Sequence, residues 1–369
     1  MQYHLERLKK LEQSLEGLSC DALLIEDPIN LYYLVGIELS EGKILIHKNG
    51  SHLIVDSRYY EACLKKSPIP VVLSKVDILI ELLRSKDFSF ISKFGFNNEK
   101  TTYKRYLELR SILVKTGRKI ELLPLETPVE KLRIIKDQDE IKTLREAADL
   151  GSEGFDFVCS ILKEGITEAE VAMELEIFWK RKGSKGLAFD PIIAFGPNSS
   201  MPHYRAGNVS LKQGDAVLID IGVNWKHYHS DMTRVVFFGQ PDPKINQIYQ
   251  IVKKAQELSL QLCKPKTTIA QLDDAARGYI TSQGFGDQFT HNLGHGVGLE
   301  IHEAPGLRNI SPQGDVLLKP GMVITIEPGI YLSDVGGVRI EDTVVITDEG
   351  HENLTKRSKD ITIINQRER

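Results

Sequence analysis

Cysteine is scarce in this sequence and nowhere paired. Cys20, Cys63, Cys159 and Cys263 are the whole complement, and no CxxC spacing occurs. Neither a disulfide framework nor a thiolate metal site is indicated, so reduced and mostly buried cysteines are expected. Long apolar runs are also missing, since no stretch reaches the ~18 residues of a membrane-spanning helix. The opening segment MQYHLERLKKLEQSLEGL reads as a charged amphipathic helix without the apolar centre of a signal peptide, and a cytoplasmic protein is expected. Charge of one sign is never massed. A net charge of −4 without a long like-charged run leaves no footprint for nucleic acid or an anionic membrane, so small or neutral partners are expected.

What is present is the make-up of a globular protein, 41% hydrophobic and 27% charged over 369 residues, which is longer than one core usually sustains. Two domains are expected. Residues 1–125 alternate short apolar runs (DALLIED, KILIHKNGSHLIVD, PVVLSKV) with helical stretches, the pattern of a small α/β domain. Pro124 and Pro128 punctuate a boundary between 122 and 137, and 126–369 is read as the second domain.

The second domain contains a duplication. KEGITEAEVAMEL (163–175) resembles KPKTTIAQLDDAA (264–276), each with a helix-start signal, Thr167 with Glu170 and Thr268 with Gln271. Downstream, LKQGDAVLIDIG (211–222) aligns without a gap to LKPGMVITIEPG (318–329), setting Asp220 against Glu327. DMTRVV then matches EDTVVI, setting Asp231 against Glu341. Two helix-helix-strand-strand units packed about a pseudo-twofold would bring four carboxylates to one centre.

An ionised carboxylate inside an apolar strand is costly unless paired or metal-bound, and both VLIDIGVNW and VITIEPG contain one. A hairpin turning at Trp225 and Lys226 would set Asp220 opposite Asp231. Arg339 and Glu341, two apart in GGVRIED, would share a strand face. Beside them in sequence order stands HNLGHGVGLEIHE, in which Gly294, Gly296 and Gly298 separate His291, His295 and His302. Each glycine costs roughly 1 kcal/mol inside a helix, so a turn running into a strand is expected rather than a helical metal motif. Four carboxylates with one or two imidazoles favour hard divalent ions such as Mn2+, with Co2+ or Zn2+ as alternatives. Such a set can hold two ions and generate hydroxide near neutral pH.

Five blocks carry a family resemblance: DPIIAFGPNSSMPHYRAGN, VLIDIGVNWKHYHSDMTR, HNLGHGVGLEIHEAPG, TIEPGIY and GGVRIED. They resemble the signatures of the Xaa-Pro peptidases, the prolidase and aminopeptidase P group of the pita-bread, creatinase-like metallopeptidases. DALLIEDPINLYYLVG and LIVDSRYYEA resemble that group's N-terminal domain. The resemblance implies an α+β chain: a small α/β creatinase-type domain (1–125) followed by a pita-bread catalytic domain (126–369) with an internal pseudo-twofold. It implies Asp220, Asp231, His295, Glu327 and Glu341 as ligands of two divalent metal ions, with Asp231 and Glu341 bridging. His203, His291 and His302 match substrate-side histidines, Glu327 a proton shuttle, and Arg339 an arginine behind a bridging carboxylate. The glycines would let backbone approach the metals.

The implied substrate is a peptide with proline second, and a homodimer is implied as well. The block around His203 favours an Xaa-Pro aminopeptidase, with the Xaa-Pro dipeptidase (prolidase) as the alternative and Arg308 as a candidate carboxylate binder. A non-enzymatic peptide-binding module would be expected to have lost carboxylates, and none is replaced. One departure from the family pattern is His227-Tyr228-His229, where Gly-Tyr is common, and both histidines are expected at the rim. Arg58, Tyr59 and Tyr60 are weaker candidates for an active-site mouth.

Overall fold

The computed structural model describes residues 2–126 and 128–365. The chain divides into two compact units, 1–133 and 134–369. Residues 130–133, assigned from sequence to the second domain, are held by the first. Asn30 and Asn97 donate to the Glu130 carboxylate at 2.8 and 2.9 Å, and Arg133 donates to Asn30 at 3.0 Å.

The first unit is a six-stranded sheet in the order Val71–Leu73, Gly50–Val55, Lys43–His47, Ala22–Ile25, Lys93–Asn97, Glu121–Leu125. Ala22–Ile25 is buried at every position and runs parallel to Lys93–Asn97, as expected of an apolar run inside an α/β sheet. In the following helix, Pro28–Val35, the Asp27 side chain accepts from Asn30 N and Pro28 opens the first turn.

The second unit repeats one order of elements. Helices Gln138–Ile161 and Glu168–Arg181 precede strands Ala216–Ile221 and Met232–Phe238. Helices Pro243–Leu262 and Ile269–Ser282 then precede Val323–Ile326 and Asp342–Ile346. The two expected capping boxes form, at Thr167 with Glu170 and at Thr268 with Gln271. Within the first helix pair, a Cβ at Gly154 would lie 2.5 Å from the Trp179 ring, whose Nε1 donates to Leu150 O at 3.0 Å. Only glycine lets these helices pack at that distance.

The inner strands of the two repeats meet. Glu341 N donates to Thr233 O at 3.1 Å, and the Thr343 hydroxyl donates to Asp231 O at 2.9 Å. Residues matched in the duplication are thus the ones that bridge it. Among the described residues no helix is long and apolar enough to cross a membrane.

Candidate functional site

Asp220 lies in Ala216–Ile221 and faces Thr233, not Asp231. The register differs from the expectation because the hairpin turns one residue later. Trp225 pairs with Tyr228, and Lys226 and His227 occupy the turn at φ 51° and 73°, the left-handed pair a two-residue hairpin requires. A two-residue displacement preserves the strand face. Asp231 therefore stays on the same side as Asp220, just before Met232–Phe238.

Arg339 and Glu341 do not share a strand either. Gly336–Arg339 pairs with Gly329–Leu332, whereas Asp342–Ile346 pairs with Val323–Ile326, and the chain changes sheets between them. A threonine rejoins them. Arg339 Nε donates to Thr233 Oγ1 at 3.2 Å, and Thr233 Oγ1 donates to Glu341 Oε2 at 2.8 Å. Arg339 also forms an ion pair with Asp220 directly and donates from Nη1 to the Tyr331 hydroxyl at 2.6 Å.

Asp231, His295 and Glu341 each offer a ligand atom, and the three atoms lie within 4.8 Å of one another. Glu327 adds Oε1 at 3.3 Å from His295 Nε2, while Asp231 Oδ2 lies 3.5 Å from the same nitrogen. Burial, followed by the charges of Asp220 and Glu327, holds the Asp231 carboxyl well above the usual range. Burial and then Asp231 do the same to Glu341, and burial raises Glu327 to about 8 even though Arg339 opposes it. His295 is pushed the other way, down to about 4, by burial and by the neighbouring His302. The imidazole is therefore neutral near pH 7, the state in which it can be a ligand.

Compensation within the protein is incomplete. Asp220 Oδ1 and Glu341 Oε1 are buried and accept no hydrogen bond from the described residues. Buried carboxylate oxygens left this way carry a desolvation penalty that a divalent cation would relieve. The donor set of four carboxylates and a neutral imidazole fits such a cation.

Both units of the chain match known families. Residues 142–348 match metallopeptidase family M24, and 7–135 match the creatinase/prolidase N-terminal domain. The chain belongs to metallopeptidase family M24. Its relatives in that family include the Xaa-Pro dipeptidase of Pyrococcus furiosus, 37% identical over 96% of this chain and 99% of that one. Among solved structures, an Xaa-Pro dipeptidase from Bacillus anthracis superposes with a TM-score of 0.91 at 36% identity, covering 98% of this chain and 99% of that one. An X-Pro aminopeptidase from Thermotoga maritima gives 0.86 at 32% identity, covering 95% and 100%. The M24 chain is thus a peptidase of the Xaa-Pro group with the α+β, creatinase-like architecture.

The three histidines of the M24 chain's HNLGHGVGLEIHE have different surroundings. His295 lies in Gly294–Gly296, with its amide donating to Thr325 Oγ1 at 3.0 Å and its ring oriented by Nδ1 at 3.0 Å from Gly296 O. His302 stacks edge-on against it, ring centroids 4.3 Å apart. His302 is exposed, and the adjacent Glu303 pairs with the buried Lys136 at 3.1 Å. His291 stands on the Arg339 side, Nε2 at 2.9 Å from the Tyr331 hydroxyl. His203 is exposed, and its charge would act on both His291 and His302. Gly294 and Gly296 make room for neighbouring backbone. A Cβ at Gly294 would sit 2.1 Å from Thr325 O, and one at Gly296 would sit 2.4 Å from Ala304 O.

Sequence reasoning missed Thr233, Thr325 and Tyr331. Thr325 links His295 N to Glu327 through a 3.2 Å hydrogen bond, and Tyr331 joins His291 to Arg339. A signal existed for the first, because the duplication sets Thr233 against Thr343 as surely as Asp231 against Glu341. His229 is half-buried and braces the glycine turn, with Nδ1 3.2 Å from Gly298 O, so only part of the expected rim position applies. Arg308 is exposed, while Arg58 pairs with Asp56 and the Tyr59 hydroxyl bonds Ser40 at 2.7 Å.

The division of the histidines is testable. His295→Ala is expected to lower metal retained after dialysis by more than about tenfold. His291→Ala should keep metal and lower kcat. Equal metal loss in both variants would contradict the division.

Proposed function

We propose that this M24 chain is an Xaa-Pro dipeptidase that holds two divalent ions, Mn2+ by preference, on Asp220, Asp231, His295, Glu327 and Glu341. Similarity to Xaa-Pro dipeptidases at 36% and 37% identity, against 32% for the aminopeptidase, favours this over the aminopeptidase expected from the block around His203. The observation that carries the chemistry is the cluster of buried carboxylates around one neutral imidazole, with unsatisfied oxygens on Asp220 and Glu341.

Bound there, a pair of divalent ions supplies a hydroxide nucleophile near neutral pH and polarises the scissile carbonyl. The remaining work belongs to side chains. The nitrogen of a proline peptide bond has no hydrogen of its own and must gain one to leave. Glu327, held by Thr325 and beside His295, is proposed to take a proton from the nucleophile and pass it to that nitrogen. Arg339 orients Asp220 directly and Glu341 through Thr233. His291, with burial and then Arg339 holding it near 4, stays neutral; its Nδ1 donates to Asn292 O at 2.7 Å and its Nε2 accepts from the Tyr331 hydroxyl at 2.9 Å, so it is proposed to line the substrate side rather than to donate to the substrate. His203 and His302 face the same side and are proposed as substrate contacts.

A homodimer in the cytoplasm is part of this reading. The deciding assay strips the protein of metal, restores Mn2+, Co2+ or Zn2+ separately, and offers an Xaa-Pro dipeptide and an Xaa-Pro tripeptide. Dipeptide cleavage with the tripeptide spared is expected. Comparable tripeptide cleavage would return the aminopeptidase reading.

A further inference from the structure

Outside the metal cluster, Glu168 is completely enclosed and both of its carboxylate oxygens are fully used. Glu168 has no exposed surface, and its two carboxylate oxygens accept four hydrogen bonds from a single segment, 195–207. Oε1 accepts from Phe195 N at 2.8 Å and Asn198 Nδ2 at 2.9 Å. Oε2 accepts from the Tyr204 hydroxyl at 2.7 Å and Gly207 N at 3.1 Å. That segment carries His203.

The helix does not need this acid. Helix Glu168–Arg181 is already capped by Thr167 and Glu170, and the matched position in the second repeat, Ile269, is a buried isoleucine at the start of an equally capped helix. Glu168 therefore answers a demand of the first repeat alone, whose distinctive feature here is the His203 segment. A second anchor inside that segment is independent of Glu168. Ser199 Oγ accepts from Gly337 N at 2.8 Å, in the strand that ends with Arg339. A Cβ at Gly337 would lie 2.3 Å from Ser199 O. Between the two anchors, Tyr204 N closes a turn onto Met201 O at 3.1 Å, with His203 inside it.

We infer that Glu168 is a positioning residue, which fixes the His203 turn at the substrate side of the site without touching substrate itself. The inference rests on the peptidase reading in taking His203 as a substrate contact. A carboxylate is required for a geometric reason. Each oxygen faces two donors, so an amide of the same shape would point its own N–H groups at a pair of donors and lose both bonds.

The test compares Glu168→Gln, His203→Ala and the double variant, all metal-loaded. Glu168→Gln is expected to retain metal and lower kcat/KM on an Xaa-Pro dipeptide about 10- to 100-fold, the scale of a small misplacement. In the His203→Ala background the same change should cost nothing further, because its effect passes through His203. Amide exchange at Phe195 and Gly207 should quicken on the order of 10-fold. Losses that multiply in the double variant, or unchanged exchange at those amides, would overturn the inference. Should Glu168→Gln not fold, Tyr204→Phe removes one donor, leaves the carboxylate in place, and is expected to give a smaller loss that also vanishes with His203→Ala. If the wild-type protein cleaves no Xaa-Pro peptide, the peptidase reading fails, and the exchange comparison still decides whether Glu168 holds the turn.

Discussion

Asp231→Asn is expected to eliminate bound metal and to lower kcat/KM by more than the roughly 10- to 100-fold that losing an outer-shell partner costs. Yet it should raise the melting temperature of the metal-free protein. Both effects come from one feature. Asp231 is buried among Asp220, Glu327 and Glu341, with Arg339 as the facing guanidinium, and burial plus like charge already hold its carboxyl far above the ordinary range. Without a cation, that charge is a liability to the fold, and a neutral amide of the same size removes it. With a cation, the charge is the reason the site binds. Metal analysis after dialysis, with melts in chelator, checks both. A variant that keeps metal, or melts lower than the chelated wild type, would contradict the account.

Metal removal should destabilise the protein more at pH 8.5 than at pH 6.5. Glu327 binds its proton in the folded state up to about 8, whereas an unfolded glutamate releases it near its ordinary value of 4.5. A group raised by folding contributes stability that is complete below its unfolded pKa and is lost as pH rises through the folded one. Asp231 and Glu341 are raised in the same direction. His291 and His295 act oppositely, being lowered to about 4 from 6.5, so their contribution to stability grows with pH up to 6.5 and is flat above it. Of these groups, only the carboxylates contribute to the slope above about pH 6.5. The melting temperature of chelated protein should therefore fall from pH 6.5 to 8.5 while the stabilisation by Mn2+ widens, since ligation takes the deprotonated carboxylates. A gap that narrows over this range would refute the assignment of these acids to the metal.

The carboxylates were legible in the sequence because a buried acid in an apolar strand has few explanations, and the duplication repeated the anomaly at matched positions. The two-residue shift of Asp220 from Asp231 to Thr233 was not, because the turn depends on Lys226 and His227 adopting positive φ, which neither residue type announces. Thr233 and Thr325 read as ordinary strand residues. Their roles come from which strands the fold brings alongside, as when Thr233 links Arg339 to Glu341 across a change of sheet. Glu168 is hidden for the same reason. In ITEAEVAMEL it reads as one more acid in a capped first turn, and only the return of 195–207 reveals four donors converging on it.

The central claim is that the cluster around Asp231, His295 and Glu341 is a two-metal site that cleaves Xaa-Pro bonds. Titrating metal-stripped protein with Mn2+, while measuring bound metal and hydrolysis of an Xaa-Pro dipeptide on the same samples, tests it most directly. Hydrolysis should be absent at zero occupancy and reach its plateau as occupancy reaches about two ions per subunit. Full hydrolysis by the stripped protein, or none at full occupancy, would contradict the claim.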